Sequence, residues 1–455
     1  MARQAQFGSL AAQLHSPNYR TATMPDRTVA ATSSNERALK CLIFALFLPE
    51  GFSFFIGDFR LSIARVLIVV LTIQATAQYF RKISRVVFVP SDFFAIAAGF
   101  WIVLAASVIQ GPVDGLKSGG ILALEFTGSY CIFRHLLGPI NSSVRVMTFA
   151  CKLLFLIVPL AVLDPLTGKL FTYEFTKALT GYTSSAWEWA MATNADTMYR
   201  NGFVRAMGPL EHSILFGAAC AWLGTLAICM FPSRRVGWSI AATAVIGILV
   251  SQARGPLLAY VLSIALVVFY YVTIRFNARW KVLGSLLLVG IVVLCVASGN
   301  PLATLLRLTG IDEATRWYRQ AIWEAVIPML LDQSPMFGLG IGTEWDWQRY
   351  GLAGESVDAF WLRTAMTQGI PASFLVMLTL LGGYWSGPLD RSPYLTHEER
   401  RLSVALGIVT FAAIFLGFTV HFWGTCWILM AVFAGTRANL VEANVNRQRA
   451  ARVPV

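Results

Sequence analysis

Four arginines stand in three separated stretches of the sequence that are otherwise poor in charge. Arg205 lies in YRNGFVRAMGPLEHSILFG, Arg254 in SQARGPLLA, and Arg316 and Arg319 in TRWYRQAIWEA. A guanidinium group is planar and permanently charged, and it can bind phosphate through two parallel hydrogen bonds. Arginines gathered on one side of a membrane therefore predict an anion site. Any one of them alone is equally well explained as an interfacial anchor or a helix-capping contact.

Three further groups near these arginines could exchange a proton with a substrate. Glu211 and His212 follow Arg205 directly before an apolar stretch, and Asp358 lies in SVDAFWLRTAMTQGIPA. A carboxylate or an imidazole so placed can act as a general base. Each also has a structural explanation. A lone histidine at a helix start is more often capped or packed than catalytic, and a carboxylate at a helix start is stabilised by the helix dipole.

The composition indicates which elements must position these groups. The chain of 455 residues is 56% hydrophobic and only 13% charged, about half the charged fraction of a soluble domain. Its apolar stretches are long enough to cross a hydrocarbon core of about 30 Å as helices, and they do not alternate with period two. The sequence therefore predicts an all-α, polytopic membrane helix bundle with about twelve transmembrane helices, or about ten if the weak first and last spans pair differently.

The distribution of basic residues predicts the orientation of the bundle. Lys and Arg concentrate in alternate short loops and at both ends of the chain, as in loops that stay in the cytoplasm. We therefore expect a disordered cytoplasmic tail at 1–37, a membrane domain at 38–436 and a second cytoplasmic tail at 437–455. Within the membrane domain we expect two long periplasmic loops. One lies at about 164–211, and the other lies between spans nine and ten, at about 299–359. They are predicted to be folded caps because they contain Trp187, Trp189, Trp317, Trp323, Trp345 and Trp347.

Several other classes of function are disfavoured by the sequence. The net charge is +12, but the basic residues form no continuous face of the kind that binds nucleic acid. Walker motifs and Cys/His clusters are absent, GLGIG from Gly338 indicates a turn, and Glu344 and Asp346 form only a weak metal-like pair. Because all seven cysteines lie in apolar stretches, we expect no disulfide, metal site or redox cofactor.

Three patches of the sequence resemble the superfamily of bacterial O-antigen ligases and of O-antigen and exopolysaccharide polymerases. They are RAMGPLEHSILFG from Arg205, SQARGPLLA from Ser251, and the run RQAIWEAVIPMLLDQSPMFGLGIG from Arg319 that ends in SVDAFWLRTAMTQGIPA. Their order and the predicted number of spans are also similar to that superfamily. The ligase branch commonly has a His followed by Asn before the span after the large loop. Here Val357 and Asp358 stand there, so the chain resembles the polymerase-like branch.

The resemblance implies a metal-independent glycosyltransferase of the bacterial inner membrane that needs no cofactor and acts on the periplasmic face. Such proteins transfer a glycan from polyprenyl diphosphate to a sugar hydroxyl, so Arg205, Arg254 and Arg319 would hold the departing diphosphate. Asp358, His212 or Glu211 would be the general base. The implied partners are a lipid-linked glycan donor and acceptor, membrane lipids, flippases and chain-length regulators, with no nucleic acid.

Two alternatives stay open beside a polymerase that joins repeat units into exopolysaccharide or O-antigen. A ligase would transfer finished glycan to a lipid A core. A polysaccharide or lipid transporter without catalysis would spread polar groups through several span interiors. In this sequence the main interior charges are Lys152 and Glu125, whereas the other charges concentrate at the predicted faces.

Overall fold

A computed structural model describes residues 26–56, 59–138, 140–182, 198–231, 233–298, 304, 313–342, 345, 347–352 and 356–452. Helices dominate these residues, and the strands among them form two short antiparallel hairpins, Ser53–Ile56 with Phe59–Ser62 (β1–β2) and Tyr199–Arg200 with Phe203–Val204 (β3–β4). The predicted all-α fold class is confirmed. The predicted residues Trp187, Trp189, Glu344 and Asp346 lie outside the described part.

The helices are, in chain order, α1 (Asp26–Leu46), α2 (Ile63–Lys82), α3 (Pro90–Gln110), α4 (Pro112–Ala123), α5 (Ser129–His135), α6 (Ser142–Lys152), α7 (Leu154–Thr167), α8 (Phe171–Thr180), α9 (Ser213–Met230), α10 (Arg234–Ser251), α11 (Arg254–Val272), α12 (Arg279–Ala297), α13 (Glu313–Gln333), α14 (Phe360–Gln368), α15 (Ile370–Gly382), α16 (His397–Leu416) and α17 (Gly424–Arg452). A π-helical turn, Leu124–Gly128, joins α4 to α5.

Seven helical segments of the described chain are long and apolar enough to cross a membrane. They are α2, α3, the continuous pair α6–α7, α9, α11, α12 and α17. Other helices of the bundle, such as α10, α15 and α16, are shorter or more charged than these seven segments. Some are interrupted, as at Gly369 between α14 and α15. A polytopic membrane protein is therefore confirmed, and the total of about twelve spans stays a prediction.

Helices α1 and α17 extend into the two segments that the sequence predicted as tails, 1–37 and 437–455. Helix α1 begins at Asp26, inside the tail predicted at 1–37, because a Pro- and Gly-free stretch runs on into the apolar segment. Helix α1 ends at Leu46, and strand β1 follows at Ser53–Ile56. Helix α17 continues to Arg452, through the tail predicted at 437–455. Within it Arg437 is buried, and its guanidinium lies 4.5 Å from the centroid of the Tyr384 ring.

Helix α9 is the central element of the bundle and is almost wholly buried. It contacts α6, α10, α11, α16 and α17. Small residues allow this close packing, since a Cβ at Gly217 would lie 2.7 Å from Ser251 Oγ and one at Gly224 would lie 2.6 Å from Ala244 Cβ. The residues that precede α9, Glu211 and His212 among them, are therefore held at a fixed end of the bundle.

The second long loop has a small hydrophobic core of its own in its described part. Ile322 and Val326 of α13 pack there with Trp345, Val357 and Leu362. This part of the loop is folded, as its tryptophans predicted.

One of the two interior charges of the sequence has a local partner. Glu125 lies on the π-helical turn with its Oε1 2.7 Å from Arg65 Nε, whereas Lys152 is exposed at the end of α6. The pairing with Arg65 explains Glu125 without a transport route.

Candidate active site

Arg205 lies where the β3–β4 hairpin crosses the end of α10. Its Nε donates to the carbonyl of Ser251 (3.3 Å), and Arg200 of the hairpin donates to the carbonyl of Gln252 (2.7 Å). These are the last carbonyls of α10, which ends at Gln252 in the left-handed region (φ 51°). Cations are favoured at such a helix end. Arg254 begins the next helix, α11, so the turn between α10 and α11 places it close to this contact.

Asp164 holds the segment that carries Arg205 against the bundle. Its Oδ2 accepts hydrogen bonds from the backbone N–H groups of Met207 and Gly208, both at 2.9 Å, and its Oδ1 accepts from Phe171 N at 2.8 Å. The carboxylate is buried at the end of α7, inside an otherwise apolar helix. Three charge-assisted hydrogen bonds thus fix the backbone two and three residues beyond Arg205.

Asp358 joins the site to the second long loop. Its side chain is exposed, and its Oδ1 accepts from Ser356 Oγ at 2.6 Å. The Ser356 carbonyl in turn accepts from the Tyr318 hydroxyl (3.0 Å), next to Arg319 on α13. The N-cap of α14 is Ala359, without a side-chain cap, so capping does not explain Asp358.

The charges of Arg200 and Asp358 both act on Arg205. Burial, and then the charge of Arg200, lower the pKa of the Arg205 guanidinium to about 10, against the opposing effect of the Asp358 carboxylate. Burial and the neighbouring cation prevail over the single carboxylate, so an anion bound here would relieve an excess of positive charge.

The other two predicted arginines lie on elements that border the same end. Arg254 is exposed in the first turn of α11, and Arg319 is partly buried on α13. Helix α13 is anchored by Trp323, whose Nε1 donates to the Phe418 carbonyl at 3.4 Å and whose ring stacks on that of Phe418.

His212 and Glu211 have different environments although they are adjacent. His212 caps α9 by accepting a hydrogen bond at Nδ1 from Ile214 N (3.0 Å), and burial together with Arg205 lowers its pKa to about 3. Glu211 Oε1 accepts from the N–H and hydroxyl of Thr425 at 3.1 and 3.3 Å. Burial and the charge of Glu50 raise the pKa of Glu211 to about 7. The predicted structural role of His212, a cap, is the one its contacts show.

Comparison with known protein families bears directly on this end of the bundle. Residues 239–377 match the family model described as O-Antigen ligase. This match supports the resemblance of the chain to the O-antigen ligase and polymerase superfamily. Members of that family are glycosyltransferase-like enzymes, and lipid-linked glycans are the substrates that the family implies. The seven long apolar helices agree with an integral membrane protein. The curated proteins include no match to the chain.

The O-antigen ligase match covers only part of the candidate site. It includes Arg254, Arg319 and Asp358, whereas Arg205 and His212 precede it and rest on the geometry. The charge of Asp358 acts on Arg205. Tyr318, next to Arg319, donates to the Ser356 carbonyl near Asp358, and Arg200 donates to the Gln252 carbonyl near Arg254.

Sequence reasoning did not identify Asp164 as part of this O-antigen ligase family site. Its signal in the sequence is a carboxylate at the end of a strongly apolar helix, directly before Pro165. A charge is retained in such a place only when it is paired or hydrogen-bonded.

Replacement of Asp164 by alanine should destabilise the protein, because three backbone donors would lose their acceptor and two of them would stay buried. A buried unsatisfied group costs about 1–3 kcal/mol, so the thermal-unfolding midpoint in detergent should fall by several degrees. Asp114→Ala is the control, since the Asp114 side chain is 74% exposed. Equal midpoints for the two variants would contradict the positioning role of Asp164.

Glu211 should make the stability of the protein depend on pH between about 4.5 and about 7. Its pKa is raised from 4.5 to about 7 on folding, so in this window the folded state retains a proton that the unfolded state loses. The contribution of Glu211 to stability is therefore complete below pH 4.5, and about 3 kcal/mol of it is lost as pH rises to 7.

Glu211→Gln keeps an acceptor for Thr425 and cannot ionise, so it should remove this fall. The measurement is the difference between the unfolding midpoints of the variant and the wild type at pH 4.5 and pH 8. A difference that does not grow with pH would show that Glu211 is ionised in the folded protein at neutral pH.

Proposed function

We propose that this chain is a polymerase that joins polyprenyl-diphosphate-linked repeat units. The bond between the anomeric carbon of the growing glycan and its diphosphate oxygen breaks, and a glycosidic bond forms to a hydroxyl of the next lipid-linked unit. The proton of that hydroxyl passes to a base, and polyprenyl diphosphate leaves. The observation that carries this proposal is the placement of a buried arginine, Arg205, within the field of an accessible carboxylate, Asp358.

In this proposal the arginines neutralise the departing diphosphate. Guanidinium groups can take up the charge that develops on the leaving oxygen, a role that is strongest in a site shielded from water. Arg205 supplies the buried cation, and Arg254 and Arg319 supply cations from the two neighbouring elements. Metal-independent transfer is part of the proposal.

Asp358 is the proposed general base among the three candidates. Its side chain is exposed, so a sugar hydroxyl can reach it. The Nδ1 atom of His212 is occupied by the helix cap, and its pKa of about 3 makes it a weak base. One oxygen of Glu211 is held by Thr425 and the other is buried.

The choice of a polymerase over a ligase rests on positions 357 and 358. The ligase branch commonly has a His followed by Asn there, whereas this chain has Val357 and Asp358. The proposed orientation puts this site on the periplasmic face. Basic loops lie at the opposite end of the bundle, for example at Arg275 and Lys281 before and within α12. Both termini are cytoplasmic in this arrangement.

Purified protein and synthetic single-repeat lipid-linked units test the proposal. A polymerase converts them into a ladder of longer lipid-linked glycans. Transfer only to an added lipid A core would indicate a ligase, and movement of intact units across a liposome membrane without any new bond would indicate a transporter. A deletion strain should accumulate single-repeat lipid-linked units, whereas a ligase deletion would accumulate long lipid-linked chains.

A further inference from the structure

A lateral cavity opens between α12 and the rest of the bundle, at the end opposite Arg254. Its volume is about 380 Å³, and its walls come from α11, α12, α15, α16, the loop after α15 and Arg437 of α17. The walls are mainly apolar and include Leu266, Leu283, Leu287, Val404, Ile408 and Phe411. We call this cavity the α12 groove.

Helix α12 stands away from the described bundle along most of its length. Arg279 is its one buried residue, and a Cβ added at Gly284 or Gly290 would meet no atom within 4 Å. The helix is fixed at its first turn, where Arg279 lies 4.6 Å from the centroid of the Tyr270 ring and is paired with Asp390. Because α12 is apolar enough to span a membrane, the groove beside it lies at the depth of the hydrocarbon and must be filled by apolar matter.

The length of the α12 groove matches one leaflet. Its wall on α16 runs from Ser403 to Ile414, about 16 Å at 1.5 Å per residue. Half of a hydrocarbon core of about 30 Å is similar. An acyl chain of one leaflet therefore fits along it.

The charge at the loop end of the α12 groove selects the headgroup. Arg275, Lys281 and Arg391 are exposed at this end, and Trp280, an aromatic residue of the kind that lies at membrane interfaces, forms part of the wall. Cations so placed attract anionic lipid headgroups. A polyprenyl diphosphate bound at Arg205 has its anionic group at the opposite end of the bundle. Its tail could reach the α12 groove, but it would bring no anion to these cations.

We propose that the α12 groove binds an acyl chain of an anionic phospholipid whose headgroup lies against Arg275 and Lys281. The test uses the full-length purified protein in nanodiscs with a phosphatidylglycerol probe that carries a photoreactive diazirine in its acyl chain. Labelling should map to α12 and α16 by mass spectrometry, and the phosphatidylcholine counterpart should label these helices at least about fivefold less, which is the effect of one surface cation on an anionic lipid.

Matched variants separate groove filling from misfolding. Gly284→Leu and Gly407→Leu place side chains in the α12 groove without a close contact, since the nearest atom to a Cβ at Gly407 is Tyr384 Cε1 at 3.4 Å. Both should reduce labelling. Gly290→Leu, on the same helix but outside the groove lining, should leave it unchanged. Arg275→Gln with Lys281→Gln should abolish the preference for phosphatidylglycerol, and Lys117→Gln at the other end should not.

Three outcomes would overturn the proposal. Equal labelling by the two probes would refute the role of the cations, and absence of label from α12 and α16 would refute the groove as a lipid site. Displacement of the phosphatidylglycerol probe by added polyprenyl diphosphate would identify the occupant as the tail of a lipid-linked substrate.

Discussion

Arg205→Ala should lower the rate of glycan polymerisation about 100- to 1000-fold, the loss seen when one preorganised donor to a developing negative charge is removed. Arg205 is the buried cation of the site, and burial and Arg200 both act against its charge, so a diphosphate would gain most from this residue. The measurement is the initial rate of polymer formation from lipid-linked repeat units by the purified protein. Arg205→Lys should recover part of the rate, because it restores the charge but not the paired hydrogen bonds.

A second readout distinguishes diphosphate binding from helix capping by Arg205. Polyprenyl diphosphate is the leaving product, and it should inhibit the wild-type protein more strongly than Arg205→Ala. Arg145→Ala is the control, since Arg145 pairs with Glu36 2.7 Å away at the opposite end of the bundle. If Arg205→Ala keeps the product inhibition and loses only thermal stability, Arg205 does not bind diphosphate. Its role would then be structural, through the contact with Ser251 at the end of α10.

The fold class was predictable because it depends on local properties of the chain. Apolar length and the spacing of charges decide whether a segment spans a membrane, and α2, α3, α9, α11 and α12 lie where those patterns predict. The ends of the chain were not predictable in the same way. Arg437 has the sequence context of a tail residue, yet its guanidinium donates to the carbonyls of Gly383 and Gly387, about fifty positions earlier.

The candidate site was predictable in its residue types and only partly in its contacts. Guanidinium chemistry singled out Arg205 and Arg254, and the structure has Arg254 as the first residue of α11. The hydrogen bonds from Met207 and Gly208 to Asp164 join positions more than forty residues apart, and those from Thr425 to Glu211 more than two hundred. Such contacts follow from how helices pack against one another, which neither spacing nor composition determines.

Helix capping, the structural explanation that the sequence suggested for both Asp358 and His212, holds for His212 only. Asp358 and His212 each precede a helix, and each had capping as its structural explanation. His212 does cap α9, through Nδ1 and Ile214 N, but Asp358 stands one residue before the N-cap Ala359 and binds Ser356 instead. A shift of one residue at a helix start thus leaves the Asp358 carboxylate exposed at the site.

Asp358→Asn should lower the rate of polymerisation about 100- to 10,000-fold, the range that general acid–base catalysis contributes. Asparagine has the same shape and can still accept a hydrogen bond from Ser356 Oγ, so the loop should keep its structure. A merely structural carboxylate would leave the dependence of kcat on pH unchanged. A base gives an acid limb, in which the rate falls as the carboxylate is protonated, and Asp358→Asn should lose that limb. Asp114→Asn is the matched control on an exposed carboxylate. If Glu211→Gln removes the limb while Asp358→Asn only raises KM, the base is Glu211 and Asp358 acts through its charge on Arg205.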